Sequence, residues 1–206
     1  MTAGPTREPL DAVRFVSNAA TGLLGIEVAR AAAAAGHEAL LVLGPTHLAP
    51  PADPRIEVRR VTTALEMLAA CEAAWPSCDA LVATAAVADH RPVSPAAGKP
   101  EKPSGAFAVE MVPNPDVLAT LAASKDRRVC VGFALQADTG PEAERLAREK
   151  LARKGLDAIV LDAPSALGAE KATFRLIPRD GAPVEFRDAT KAEFARALVA
   201  FVTRPR

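Results

Sequence analysis

The chain is 206 residues long, enough for one sizeable domain with a real core. Half of its residues are hydrophobic, which excludes disorder, and its 25 basic and 25 acidic residues cancel, which excludes a nucleic-acid binder working through bulk charge. Aromatics are 4% with no tyrosine, so base-stacking platforms are scarce, and the odd-numbered Cys71, Cys78 and Cys130 lack metal-ligand spacing and fit buried thiols in a reducing compartment.

No apolar run approaches the roughly 20 residues of a membrane span. The N-terminus shows no basic segment followed by an apolar one. The expectation is a cytoplasmic chain with neither a membrane nor nucleic acid among its partners, folded as a single domain over residues 1–206.

The chain opens on Thr2-Ala3-Gly4, a very short first strand, followed by a loop of about twenty residues. Gly22 to Ala35 reads as an alanine-packed helix stopped by Gly36. Ala39 to Leu43 suits a buried parallel strand. Thr62 or Thr63 caps a helix running to about Trp75, with Glu66 as capping-box partner. Ala80 to Thr84 is the next strand, and Phe107 to Val112 alternates like another. Asn114-Pro115-Asp116 starts a helix that runs to about Ser124. Val129 to Leu135 is a central strand, Pro141 to Lys154 a helix ended by Gly155, and Ala158 to Leu161 a strand. Thr173 to Ile177 and Val184 to Phe186 flank the hairpin signal Arg179-Asp180-Gly181. A last helix covers Thr190 to Val202.

This alternation predicts an α/β fold with a Rossmann-like, mostly parallel sheet, helices on both faces, and a C-terminal β-hairpin and helix. Ligands of such sheets bind at the carboxyl ends of the strands. Gly4, Ala85 to Asp89, Asn114 and Phe133 are expected there.

Several side chains are candidates for anion chemistry. Arg7 and Arg14 in the opening loop neutralise phosphate or carboxylate, or are solvated surface charges. The following helix start offers unpaired N–H groups. Asn18 brings a donor and an acceptor in one short amide, or serves a local turn. Asp89 ends a run of small residues and accepts from a ligand hydroxyl or amine, or caps a turn. Lys99, in the Pro/Ala-rich stretch 91–103, suits a closing flap that brings charge as water leaves, or is a solvated loop lysine. Lys150 and Lys154 share a helical face, whether around an anion or simply in solvent. His37, His47 and His90 show no metal spacing. There is no G-x-G-x-x-G fingerprint.

Taken together, the segments resemble phosphopantothenate–cysteine ligase, the synthetase half of the bacterial coenzyme A biosynthesis flavoprotein. Thr2 to Arg14 is similar to the family's T-A-G-P-T-R-E-P-x-D-x-V-R, and Ser17-Asn18 with Gly22 and Gly25 to its S-N-x-x-[ST]-G-x-x-G. Ala85 to Arg91 matches A-A-V-A-D-[YH]-R, Asn114 to Asp116 its N-P-D, and Val131 to Ala134 its V-G-F-A. Lys150 and Lys154 match its K-x-x-x-K-x-x-D-x-I. The similarity runs in unbroken order over nearly the whole chain.

The resemblance implies a ligase in which CTP and 4′-phosphopantothenate give an acyl-cytidylate and pyrophosphate, after which cysteine displaces CMP to form an amide. It implies that Asn18 stabilises the acyl-cytidylate and that the flap residue Lys99 is needed to make it. Ala83, Thr84, Ala85, Asp89, Lys99, Pro115, Asp116, Val117, Phe133, Lys150 and Lys154 match nucleotide-contacting positions. The family is dimeric and uses Mg²⁺ with the nucleotide, held largely by phosphates and water, so no protein metal ligands are named. No flavin is expected in this chain, and an FMN-dependent phosphopantothenoylcysteine decarboxylase is expected as a separate partner.

The sequence departs from the pattern in places. Lys99-Pro100-Glu101-Lys102 stands where the flap typically reads K-I-K-K. Ala19 and Ala20 follow Asn18, and Leu23-Leu24 replaces a frequent Lys or Met pair. Leu135-Gln136-Ala137 replaces A-E-T, and I-V-A-N becomes Ile159-Val160-Leu161-Asp162. These departures leave open a non-catalytic homologue that binds a nucleotide or a partner, and they bear on the choice of CTP over ATP. A dinucleotide-dependent oxidoreductase is the weaker third reading, since the chain has no tyrosine to act as acid.

Overall fold

The computed structural model describes residues 1–101, 104–136 and 140–204. The strands in chain order are β1 (Thr2–Ala3), β2 (Glu8–Pro9), β3 (Phe15–Val16), β4 (Ala39–Leu43), β5 (Ile56–Arg60), β6 (Ala80–Val82), β7 (His90–Pro92), β8 (Met111–Pro113), β9 (Val129–Leu135), β10 (Ala158–Asp162), β11 (Lys171–Pro178) and β12 (Val184–Thr190). The helices are α1 (Leu23–Ala34), α2 (Ala64–Ala74), α3 (Val117–Ala122), α4 (Pro141–Arg153) and α5 (Lys191–Val202).

A three-stranded sheet ordered β5-β4-β1 and a five-stranded sheet ordered β6-β9-β10-β11-β12 meet edge to edge. Parallel bridges Thr2↔Ala83 and Pro5↔Ala86 join them. The parallel strands therefore run β5-β4-β1-β6-β9-β10, reversing direction of build between β1 and β6. Such a reversal opens a crevice above the strand ends. Beyond β10 the sheet continues as the antiparallel hairpin β11-β12.

Strand alternation divides the apolar residues between two cores. Val131 and Val160 point to one face with Leu41 and Leu43, under Ile26, Val28 and Ala29 of α1 and Phe194 and Leu198 of α5. Cys130, Ile159 and Leu161 point to the other, under Met67 and Cys71 of α2, Leu118 and Leu121 of α3, and Ala147 and Leu151 of α4. Thr63 and Glu66 form the expected capping box of α2, and Thr190 and Glu193 form another on α5.

Other elements differ from the sequence reading. β5 was not expected: Glu57, Arg59 and Arg60 mask its pattern, because it is a sheet edge with one polar face. Of the strand expected over Phe107 to Val112, only Met111–Pro113 pairs, and it pairs with β7 outside the main sheet. β2 and β3 form a second small antiparallel pair in the opening loop. The flap and that loop are laced together, Ala96 N–H donating to Leu10 O at 2.9 Å and Ala12 N–H to Gly98 O at 3.0 Å.

Helix α1 lies directly on β1, and Gly25 permits it. A methyl group there would stand 2.5 Å from Thr84 Oγ1 and closer still to Ala3 Cβ. Alanine is the better helix former by about 1 kcal/mol, but overpacking a core costs about 1–3 kcal/mol. Gly25→Ala is expected to lower the urea midpoint despite its helical advantage. A raised midpoint would mean that α1 does not need this approach.

Candidate active site

A cavity of about 620 Å³ opens at the β1/β6 reversal. Its floor is the extended segment Ala83 to Asp89, whose small side chains leave the backbone exposed to a ligand. One end is the start of α1. Gly22 adopts a left-handed conformation (φ 82°) and has no side chain to cap the helix, and only Thr21 Oγ1, at 3.4 Å, accepts from Leu23 N–H. The first N–H groups of α1 thus belong to the cavity lining, a place favourable to an anion.

Asn18 stands at the rim. Its Nδ2 donates to Ala86 O at 2.6 Å, and its Oδ1 accepts from Ala20 N–H at 3.1 Å. The amide therefore makes a local turn and also grips a residue sixty-eight positions away, which fixes its orientation beside the floor. Ala20 lines the cavity as well.

Asn114 follows β8 and is not at an end of the main sheet. It reaches the site by hydrogen bonds: Nδ2 donates to Ala88 O at 2.8 Å and its backbone N–H to Asp89 O at 2.8 Å. Arg91 in turn donates to Pro113 O at 2.7 Å and to Asn114 Oδ1 at 3.2 Å. These bonds lock the floor to the segment Pro115, Asp116 and Val117 that starts α3. Asp116 caps that helix, accepting from Ala119 N–H at 2.9 Å.

The opposite wall is cationic. Lys150 Nζ donates to Phe133 O at 2.8 Å, and Lys154 pairs with Asp116. Burial lowers the pKa of Lys150, and the neighbouring Lys154 lowers it further. Burial raises that of Asp116, but Lys154 and the Ala119 N–H outweigh it and hold the carboxyl below its ordinary range.

Thus Asn18, Ala83, Thr84, Ala85, Asp89, Pro115, Asp116, Val117, Phe133, Lys150 and Lys154 all line one cavity. Lys99 does not. It is exposed on the flap next to Gly98, while Pro100 and Glu101 line a separate groove with Arg14 and Phe107. Lys102 and Ala137 lie outside the described residues. Among those described, no group of three or more His, Cys, Asp or Glu side chains is placed to hold a metal. No helix is long and apolar enough to cross a membrane.

The sequence reading did not single out Lys191, which is buried and lines the cavity. One signal was available: a lysine as first residue of a helix opposes the helix dipole. Asp162, noted only as a departure, is a second buried charge in the lining. Burial, opposed by Lys191, its own N–H and Lys150, pushes its carboxyl up to about 7 from an ordinary 3.8.

The family described as DNA/pantothenate metabolism flavoprotein C-terminal domain matches residues 1–204. The chain is 43% identical over 163 residues to the coenzyme A biosynthesis bifunctional protein CoaBC of Escherichia coli strain K12, a match covering 77% of this chain and 39% of that protein. It is 38% identical over 204 residues to a cysteine/cysteine sulfinic acid decarboxylase of an unknown prokaryotic organism, covering 97% and 56%. A crystal structure of the C-terminal domain of CoaBC is similar with a TM-score of 0.81 at 32% identity, covering 98% of this chain and 91% of that one. The chain spans about half, or less, of the length of these curated relatives.

The raised carboxyl of Asp162 has a consequence for stability. Between its ordinary value and about 7, the native state keeps a proton that the unfolded chain has released, so stability falls as pH rises through that window. Each unit is about 1.4 kcal/mol. Asp162→Asn removes the effect. It is expected to raise Tm by roughly 10 °C above neutrality, with the gain vanishing toward about pH 4. A gain that does not change with pH in thermal melts would contradict the burial of this charge.

Proposed function

The chain belongs to the DNA/pantothenate metabolism flavoprotein C-terminal domain family, and we propose that it is the ligase joining 4′-phosphopantothenate to L-cysteine through an acyl-cytidylate formed from CTP, a step of coenzyme A biosynthesis. One observation carries this reading. A side-chain amide immobilised on the Ala86 carbonyl faces a cavity that holds two lysines on one wall and an uncapped helix start on another.

The chemistry brings two anions together. A carboxylate oxygen of 4′-phosphopantothenate attacks the α-phosphorus of CTP, and the bond to pyrophosphate breaks. Lys150, Lys154 and the first N–H groups of α1 offset the repulsion and the charge building on the phosphate oxygens. The amine nitrogen of cysteine then attacks the acyl carbon, and CMP leaves. Asn18 donates and accepts without titrating, which suits it to orient the mixed anhydride between these steps. Mg²⁺ bound with the nucleotide would be held largely by phosphates and water and would screen the phosphate charge.

Lys99 acts, in this reading, only after the flap has moved. In the structure it stands outside the cavity, so closure has to bring it to the phosphates. The exposed Val13, Phe15, Phe107 and Val109 on the loop and flap form the apolar surface on which a homodimer is proposed to assemble. No flavin is assigned to this chain. A separate FMN-dependent phosphopantothenoylcysteine decarboxylase is proposed as the partner that takes up the ligase product.

The position of Lys99, together with Ala19, Ala20 and Glu101, favours one other reading: a homologue that binds the nucleotide without completing the reaction. Purified protein with CTP, Mg²⁺ and 4′-phosphopantothenate is expected to release pyrophosphate, more with CTP than with ATP, and to yield amide once cysteine is added. Asn18→Asp is expected to keep CTP binding and lose about 100-fold in amide formation, the scale of one preorganised donor. Lys99→Gln is expected to slow pyrophosphate release at least about tenfold before cysteine is present. No release from folded protein with either nucleotide would favour the non-catalytic homologue. Unchanged turnover in both variants would put the chemistry elsewhere.

A further inference from the structure

Two opposite charges are buried in the cavity wall beyond those the reaction uses. Asp162 ends β10, at the carboxyl end of the parallel sheet, with 9% of its surface exposed. Lys191 is the first residue of α5, with 6% exposed. Neither satisfies the other. Lys191 Nζ donates to Ala166 O at 3.0 Å, which uses one of its three donors. Among the described residues, the charged groups facing Asp162 are Lys191 from α5 and Lys150 from α4, and Lys150 is engaged with Phe133 O. The neighbouring strands β9 and β11 give the cavity Phe133, Leu135 and Phe174, which carry no charge.

A buried amine with spare donors and a buried carboxylate without a direct cation are each costly. Their common cavity says what removes the cost. We propose that Asp162 and Lys191 form a proton-coupled subsite for a phosphoryl group, in which the bound anion replaces Asp162 as counter-charge of Lys191 and Asp162 takes up a proton as the anion enters. This rests on reading the cavity as a site for phosphorylated substrates.

The chemistry follows from the donor count. A phosphoryl oxygen takes the remaining donors of Lys191 in a charge-assisted bond. It would repel an ionised Asp162 at the same wall. Protonation removes that repulsion and turns the carboxyl into an O–H donor to a second phosphoryl oxygen. Because burial already brings the carboxyl close to neutrality, the proton is available under ordinary conditions. The segment Ala166 to Gly168 beside Lys191 adjoins Thr21, next to the start of α1, so the subsite is continuous with the rest of the anion-favouring lining.

The test is calorimetric titration of the intact protein with inorganic pyrophosphate, CTP and 4′-phosphopantothenate separately. Each is run in two buffers of different ionisation enthalpy, below and above neutrality. Above neutrality, wild-type protein is expected to take up close to one more proton than Asp162→Asn with the ligand that occupies the subsite, an excess that shrinks below neutrality, and to lose about tenfold in affinity per pH unit above neutrality, where Asp162→Asn stays flat. Lys191→Met keeps the aliphatic stem and is expected to weaken the same ligand at least about tenfold at either pH. Coupling with CTP and pyrophosphate assigns the subsite to the nucleotide; coupling with 4′-phosphopantothenate alone assigns it to the other substrate. Equal proton uptake and equal pH profiles in wild type and Asp162→Asn for every ligand would overturn the proposal, as would binding of none of them. Proton-linked binding without any amide product would overturn the ligase reading and leave this subsite standing.

Discussion

The opening segment, threaded between two half-sheets, is the constraint on which the molecule depends. β1 pairs with Val42 and Leu43 on one side. On the other it does not form a full strand pair with β6 but a sequence of mixed bonds. Thr84 Oγ1 donates to Thr2 O at 2.8 Å, Ala86 N–H to Gly4 O at 3.0 Å, and Thr6 N–H to Ala86 O at 3.2 Å. Ala88 N–H donates to Thr6 Oγ1 at 2.9 Å. The same bonds that close the sheet therefore stretch the floor of the cavity from Ala83 to Ala88 and hold it open. Fold and site are one hydrogen-bond network, and the Asn18–Ala86 contact is its last rung.

That threading needs an anchor, since a twenty-residue loop costs entropy to order. Glu8 supplies it. It is 1% exposed, and its carboxylate accepts from Ala64 N–H at 3.0 Å, at the N-terminus of α2. A buried carboxylate is tolerable there because unpaired N–H groups and the helix dipole favour negative charge. Arg7 N–H donates to Thr62 O at 2.8 Å on the residue before the capping threonine. Asp11 then turns the chain, accepting from Val13 and Arg14 N–H at 2.8 Å. Polar residues of the opening motif thus bend and pin the chain.

The central elements were legible because local physics decides them. The apolar runs at Ala39 and Val129, the threonine–glutamate caps and the glycine stops each carry their own signal. The site was legible only as a set of motifs whose meeting point came from strand order. Asn114 follows the strand expected over Phe107 to Val112 and so was expected at a sheet end, whereas it reaches the floor through Ala88 from a side ribbon. β2, β3 and β7 span two or three residues each, too short for a period-2 pattern, so no periodicity announces them. Lys191 was hidden for a different reason. In sequence a lysine after a capping threonine reads as solvent-facing, and only the packing of α5 against α1 turns it inward.

The charge balance of the cavity explains why its walls differ. On the α4 side, Lys154 is neutralised in advance by Asp116, leaving Lys150 as the cation that a ligand feels most directly. On the α5 side, Lys191 and Asp162 face the same space without a direct ion pair, so that charge is held in reserve. Burial shifts Lys150, Lys191 and Asp162 alike toward their neutral forms. An apo protein carrying them is less stable than it would be with apolar residues in their places. A polyanion offsets this for the two lysines, because its charge stabilises their charged forms, and water expelled by closure strengthens each contact. The cost of burying these charges and the proposed attraction of the cavity for phosphorylated ligands therefore have one electrostatic origin.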